Sequence, residues 1–186
     1  RYWATALESQ PTAATFLGVH DHDDRLEDLS EQGDATYRAA LSAVAAELDV
    51  LEPTRPGDAD RVTASLLRHQ LEVAITSIDL RLVELASDQM LGPHASLLMM
   101  APQLTYPEPG HAEAALIRYS HVPRLLGQAL HRFRAGVADG RPPAASVLAR
   151  TLNTLDVTWL WGWDHPSVTG AIGVAARSCR AFGERH

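Results

Sequence analysis

The chain has 186 residues, of which 46% are hydrophobic and 21% are charged, proportions typical of one globular domain and unlike those of a disordered chain. Its single cysteine, Cys179, excludes an internal disulfide framework and a four-cysteine zinc site. The net charge of −7 argues against a nucleic-acid partner, and the apolar runs are far shorter than the roughly 20 residues of a membrane span. The lone cysteine and the lack of a visible signal peptide favour the cytoplasm, although a removed secretion signal would leave the same pattern.

Apolar residues recur at spacings of three and four along most of the chain, which predicts amphipathic helices with 3.6 residues per turn. No comparable stretch alternates with period two, so no strand is predicted. The sequence therefore predicts an all-α, multi-helix bundle that forms a single domain over residues 1–186. In chain order, the five apolar stripes are Tyr37, Leu41, Val44, Leu48 and Leu51; Leu67, Leu71, Ile75, Ile78, Leu82 and Leu85; Val122, Leu126, Leu130, Phe133 and Val137; Leu148, Leu152, Leu155 and Trp159; and Val168, Ile172, Ala175, Cys179 and Phe182.

Turn-forming residues separate these stripes. Residues 53–57 lie between the first two, and Asp58 is a candidate N-cap for the helix that follows. Residues 106–110 form a turn before the third predicted helix, and residues 140–143 close that helix. Pro123 lies inside its pattern and should kink or restart the helix, because proline removes a backbone hydrogen bond there.

The densest polar segment covers residues 18–30. His20, His22 and Asp24 match the opening of the His-x-His-x-Asp signature of metallo-β-lactamase-like hydrolases, and two imidazoles with a carboxylate suit zinc or iron. That signature also needs a preceding strand and a histidine where this chain has Arg25. The favoured interpretation is a solvated acidic turn between two helices, with Asp28 or Ser30 capping the second.

Three segments, residues 10–30, 113–126 and 130–143, resemble in order and spacing the N-terminal part of a widespread bacterial family known as domain of unknown function 885. The most specific piece reads P-x-A-A-T-x-x-G-x-H from Pro11 and continues D-x-R-L-x-D-x-S from Asp23 to Ser30. The resemblance covers residues 1–156 and leaves a divergent tail helix at residues 157–186.

The resemblance implies a helical protein similar to zinc carboxypeptidases, whose full-length relatives carry a His-Glu-x-x-x-x-His-like zinc motif in their second half. That motif has no counterpart in this chain, so we expect no cofactor and no catalytic residue here, and a catalytically silent fragment of a metallopeptidase-like hydrolase. Its role would be a scaffold and one wall of a cleft for a peptide substrate. The candidate cleft residues are His20, Asp23, Arg25 and Asp28.

Two alternatives belong to other classes. The first is a small metal-binding bundle that uses His20, His22 and Asp24 with a distant histidine, and its only basis is the excess of nine histidines. The second is a non-catalytic helical interaction module. Trp159, Trp161 and Trp163 form a candidate aromatic patch for self-association.

Overall fold

The computed structural model describes residues 1–51 and 57–160, with the side chains of 102 and 154–160 left out. Within these residues every regular element is helical and no strand occurs, which confirms the all-α prediction. Short 3₁₀ turns occur at Leu82–Leu85 and Ala101–Gln103. The α-helices of the described part are α1 (Tyr2–Ser9), α2 (Pro11–Phe16), α3 (Glu31–Leu51), α4 (Asp58–Asp79), α5 (Pro93–Met100), α6 (Pro109–Ser120), α7 (Val122–Ala138) and α8 (Ala145–Leu160).

Helices α3 and α4 pack against each other and form the larger hydrophobic core. Leu41, Val44 and Leu48 of α3 meet Leu71 of α4, as the first two stripes predict. Each large side chain buried in this way contributes about 1.5–3 kcal/mol relative to an exposed one. The buried part of the first stripe ends at Leu48, one turn earlier than predicted, since Leu51 is 46% exposed.

The second stripe does not continue to its predicted end. Helix α4 stops at Asp79, Arg81 adopts a left-handed conformation with φ of 52°, and a 3₁₀ turn follows. Leu82 and Leu85 are exposed, whereas Glu84 between them is only 1% exposed. The predicted extension of the stripe to Leu82 and Leu85 was wrong. The ion pairs of the buried Glu84 with Arg132 and Arg141, and not the two leucines, hold this turn in place.

The predicted helix around Pro123 is two helices. Helix α6 ends at Ser120, and Pro123 lies in the first turn of α7, where its missing N–H costs nothing. The buried face of α7 is rotated from the predicted stripe and includes Arg132 and Gly136. A Cβ at Gly136 would lie 3.0 Å from the Cβ of Glu84, so this glycine allows α7 to approach the 3₁₀ turn closely.

The predictions for the C-terminal tail fall outside the described residues. These are the helix over 168–182, including Cys179, and the self-association patch of Trp161 and Trp163. The side chain of Trp159 in α8, which belongs to the same predicted patch, also lies outside the described part of the chain. The single domain over 1–186, with family-like residues 1–156 and tail 157–186, stays a prediction. Among the described helices, none combines the length and the apolar character that crossing a bilayer requires.

Candidate functional site

The polar segment 18–30 begins with a sharp reversal of the chain after α2. Gly18 has φ of +80°, which costs glycine little. The N–H of Gly18 donates to the carbonyl of Thr15, and the N–H of Val19 donates to the carbonyl of Ala14 at 2.9 Å. This paired arrangement is a Schellman motif, which satisfies the last carbonyls of a helix. It turns the following residues back against α2.

Asp23 is the buried anchor of the segment, with only 1% of its surface exposed. Its Oδ1 accepts a hydrogen bond of 2.5 Å from the hydroxyl of Thr15. Its Oδ2 accepts a hydrogen bond of 2.8 Å from Nδ1 of His20. Since an ionised carboxylate can only accept, Nδ1 of His20 carries the proton of this hydrogen bond.

Arg118 of α6 is the second buried charge of the site, 1% exposed. Its Nη2 lies 3.6 Å from Oδ1 of Asp23 and donates to the Thr15 hydroxyl at 2.6 Å. The same nitrogen donates to the carbonyls of His22 at 2.8 Å and Pro11 at 3.3 Å. Arg118 therefore ties α6 to α2 and to the segment, and it offsets the charge of the buried carboxylate.

His111, in the first turn of α6, completes the cluster. Its ring stacks on that of His20, with centroids 4.3 Å apart and an interplanar angle of 11°. One potential ligand atom from each of His20, Asp23 and His111 lies within 4.8 Å of the others. Nδ1 of His111 is buried and has no hydrogen-bond partner among the described residues. Two imidazoles and a carboxylate are a ligand set that transition metals accept.

The predicted metal set is not the one that the fold groups together. His20 lies with Asp23 and His111, whereas the carbonyl of His22 binds Arg118, and Asp24 lies 3.7 Å from Nε of Arg25. Metal ligation by His22 and Asp24 stays a prediction that metal analysis can test.

The four candidate cleft residues divide between two places. His20 and Asp23 belong to the buried cluster, whereas Arg25 and Asp28 line a cavity of about 400 Å³ between the segment, α1 and α3. Four carboxylates and one guanidinium line this cavity. The charged lining residues are Glu8, Arg25, Glu27, Asp28 and Asp34.

Asp28 also organises the start of α3. Its Oδ1 accepts hydrogen bonds from the N–H of Ser30 and from the amide of Gln128. Partial burial favours the neutral form, but the hydrogen bonds from Ser30 and Gln128 and the charge of Arg124 outweigh it, so the pKa of Asp28 lies below its usual value. The Ser30 hydroxyl accepts from the N–H of Gly33 and thereby caps α3, as one of the two predicted alternatives stated.

Tyr106 is a further ionisable group close to the cluster. Burial and the neighbouring Tyr119 hydroxyl raise the pKa of Tyr106 to about 12, and the charges of Arg118 and Asp23 also act on it. Its phenol is therefore neutral at physiological pH and can act only as a hydrogen-bonding group there.

Sequence reasoning missed the part of the site that α6 supplies. The family-like pattern includes Thr15 without assigning it a role, and His111 is one of the nine histidines of the chain, with no metal-binding motif around it. Arg118 lies in an amphipathic segment where an exposed position is the default for arginine. No local pattern links His111 or Arg118 to Asp23, because both come from a distant stretch of the chain.

Comparison with known families agrees with the resemblance noted from the sequence. The model of a bacterial protein of unknown function (DUF885) matches residues 11–160. A second model, a family of unknown function (DUF6882), matches residues 137–186 and overlaps the end of the first. The search of curated proteins gave no match. Because the first match spans most of the chain and includes every residue of the cluster, the protein belongs to the DUF885 family of bacterial proteins of unknown function.

Proposed function

We propose that this chain is the N-terminal helical part of a metallopeptidase-like hydrolase and forms one wall of its substrate cleft. The observation that carries this proposal is the cavity of about 400 Å³ lined by Arg25 and Asp28 of the family-like segment. Its volume falls within the range of ligand pockets, about 300–1,000 Å³.

The charges of the cavity indicate the kind of peptide that it accepts. Carboxylates outnumber the guanidinium of Arg25 by four to one among the lining residues. Three of them have partners: Glu27 accepts from Thr12, Asp28 from Gln128, and Asp34 pairs with Arg132.

Glu8 of α1 has no ion-pair partner among the described residues, so its charge is available to a ligand. The cavity therefore favours a peptide that presents a positively charged side chain or amino terminus.

Catalysis is not part of the role that we propose for this chain. The sequence lacks the His-Glu-x-x-x-x-His-like motif of the full-length relatives that it resembles. We expect the purified chain to leave a fluorogenic peptide uncleaved, with or without added zinc. Metal-dependent hydrolysis that copurifies with the chain and disappears with a chelator would contradict this part of the proposal.

Calorimetric titration of the chain with a short lysine-containing peptide and with its glutamate-containing counterpart tests the cleft. The basic peptide should bind more tightly, and the difference should shrink at high salt, because the attraction is electrostatic. Replacing Glu8→Gln should weaken binding of the basic peptide, whereas Arg25→Gln should strengthen it by removing a like charge.

The matched control is Asp58→Asn, which removes an exposed carboxylate at the start of α4, outside the cavity. It should leave peptide binding unchanged. Equal effects of Glu8→Gln and Asp58→Asn would show that the peptide responds to net charge alone and would refute the cleft assignment.

A further inference from the structure

We propose that His20, Asp23 and His111 together bind one divalent transition-metal ion, with zinc as the best match. This site goes beyond the proposed cleft function and does not depend on it, because the cavity of Arg25 and Glu8 is lined by other residues. It is also separate from the zinc motif that the resemblance implies for longer relatives. It runs against the expectation from that resemblance alone, which is a chain without a cofactor.

The positions of the donor atoms support the site. One donor atom from each residue lies within 4.8 Å of the others. Ligands around a tetrahedral zinc, at about 2.0–2.2 Å from the metal, are about 3.3 Å apart. Nδ1 of His20 and Oδ2 of Asp23 are already 2.8 Å apart. For tetrahedral coordination, the donors that are farther apart would have to approach to about 3.3 Å.

The hydrogen bonding of the cluster shows where a metal would enter. The proton on Nδ1 of His20 lies where a cation could bind, and ligation through Nδ1 would transfer it to Nε2 of the same ring, so that the imidazole stays neutral. Nδ1 of His111 is buried without a partner among the described residues. Buried polar atoms are nearly always paired, so this nitrogen has an unfilled coordination or hydrogen-bonding capacity.

The surroundings hold Asp23 in place from one side only. The hydroxyl of Thr15 and Nη2 of Arg118 lie at Oδ1, at 2.5 Å and 3.6 Å, whereas the contact of Oδ2 is with the His20 ring. Oriented ligands of this kind increase metal affinity. The positive charge of Arg118 acts in the opposite direction, so we expect an affinity below that of a structural zinc site.

The donor types determine which metals fit. Imidazole ligands select zinc, cobalt, nickel and copper, whereas magnesium and calcium prefer oxygen ligands throughout. Three protein ligands leave one tetrahedral position for water, so the site would be an open one.

The experiment is a titration of the metal-free chain with Zn²⁺ by calorimetry, with Co²⁺ absorption as an independent readout of tetrahedral coordination and Mg²⁺ as the control ion. The test variants are His20→Ala and His111→Ala, with His111→Gln as a milder form. The matched controls are His22→Gln and Asp24→Asn, which lie in the same segment. Far-UV circular dichroism without metal establishes that each variant is folded.

We expect one Zn²⁺ per chain and no response to Mg²⁺. The dissociation constant should rise at least about tenfold in His20→Ala and in His111→Ala or His111→Gln. Both controls should bind as the unchanged chain does.

Three results would overturn the inference. These are no stoichiometric binding, equal binding by all variants, or a loss confined to His22→Gln and Asp24→Asn, which would assign the metal to the His-x-His-x-Asp residues instead. Peptide binding in the cleft could persist under any of them, so the two proposals can fail separately.

Discussion

Replacing Glu84 by glutamine removes the negative charge at the centre of a buried ionic network. Oε2 of Glu84 lies 3.0 Å from Nη1 of Arg141, and Oε1 lies 3.5 Å from Nη1 of Arg81 and 3.8 Å from Nε of Arg132. Nη1 of Arg132 also pairs with Oδ2 of Asp34 at 2.8 Å. The network thus connects the 3₁₀ turn at Leu82–Leu85 to α7 and α3.

The size of the effect follows from burial. Arg132 is only 2% exposed, so its attraction to Glu84 at 3.8 Å amounts to about 4 kcal/mol at an effective dielectric constant of about 20. Arg81 and Arg141 are partly exposed, and solvent screening keeps each of their contributions below about 1 kcal/mol. In Glu84→Gln, Asp34 still compensates part of the charge of Arg132. We therefore expect Glu84→Gln to lower the free energy of unfolding by about 3 kcal/mol.

Urea unfolding followed by circular dichroism measures this loss, and the thermal midpoint should fall by about 6–12 °C. The double variant Glu84→Gln with Arg132→Met should regain part of the loss, because it removes both buried charges. Asp79→Asn is the control: it disrupts the exposed pair with Arg38 and should leave the midpoint nearly unchanged. Equal, small shifts in Glu84→Gln and Asp79→Asn would refute the reasoning.

Three further predictions concern single residues. Gly33→Ala should destabilise α3, because a Cβ there would lie 2.5 Å from the carbonyl oxygen of Asp28; an unchanged urea midpoint would contradict this. Burial lowers the pKa of His94 below its ordinary 6.5, and the charge of Asp88 opposes this shift. The contribution of His94 to the free energy of unfolding is therefore complete above about pH 6.5 and decreases as the pH falls below that value. Urea midpoints measured at several pH values should vary less with pH in His94→Gln, whereas the exposed control His69→Gln should keep the original pH dependence. The phenol of Tyr106 should ionise near pH 12, and ultraviolet titration of Tyr106→Phe should lack that step.

The sequence identified part of the candidate site through the spacing within residues 18–30. Nearby residues such as His20 and Asp23 meet because a short turn brings them together, and Gly18 and Ser30 mark the helix end and the helix start on either side. Their partner His111 could not be predicted in this way. It contacts His20 only because α6 packs where Arg118 anchors it, and an anchor of this kind leaves no periodic trace in the sequence.

The helical class and the α3–α4 core followed from the sequence, since a stripe such as Leu41, Val44 and Leu48 can bury its apolar surface only on one face of a helix. Tertiary packing decided which charged residues are buried. Glu84, Arg118 and Arg132 look like surface residues in the sequence, and each is buried because partners from distant parts of the chain compensate its charge. The spacing of apolar residues identifies the apolar face of a single helix, whereas the burial of a charge depends on neighbours that only the assembled fold supplies.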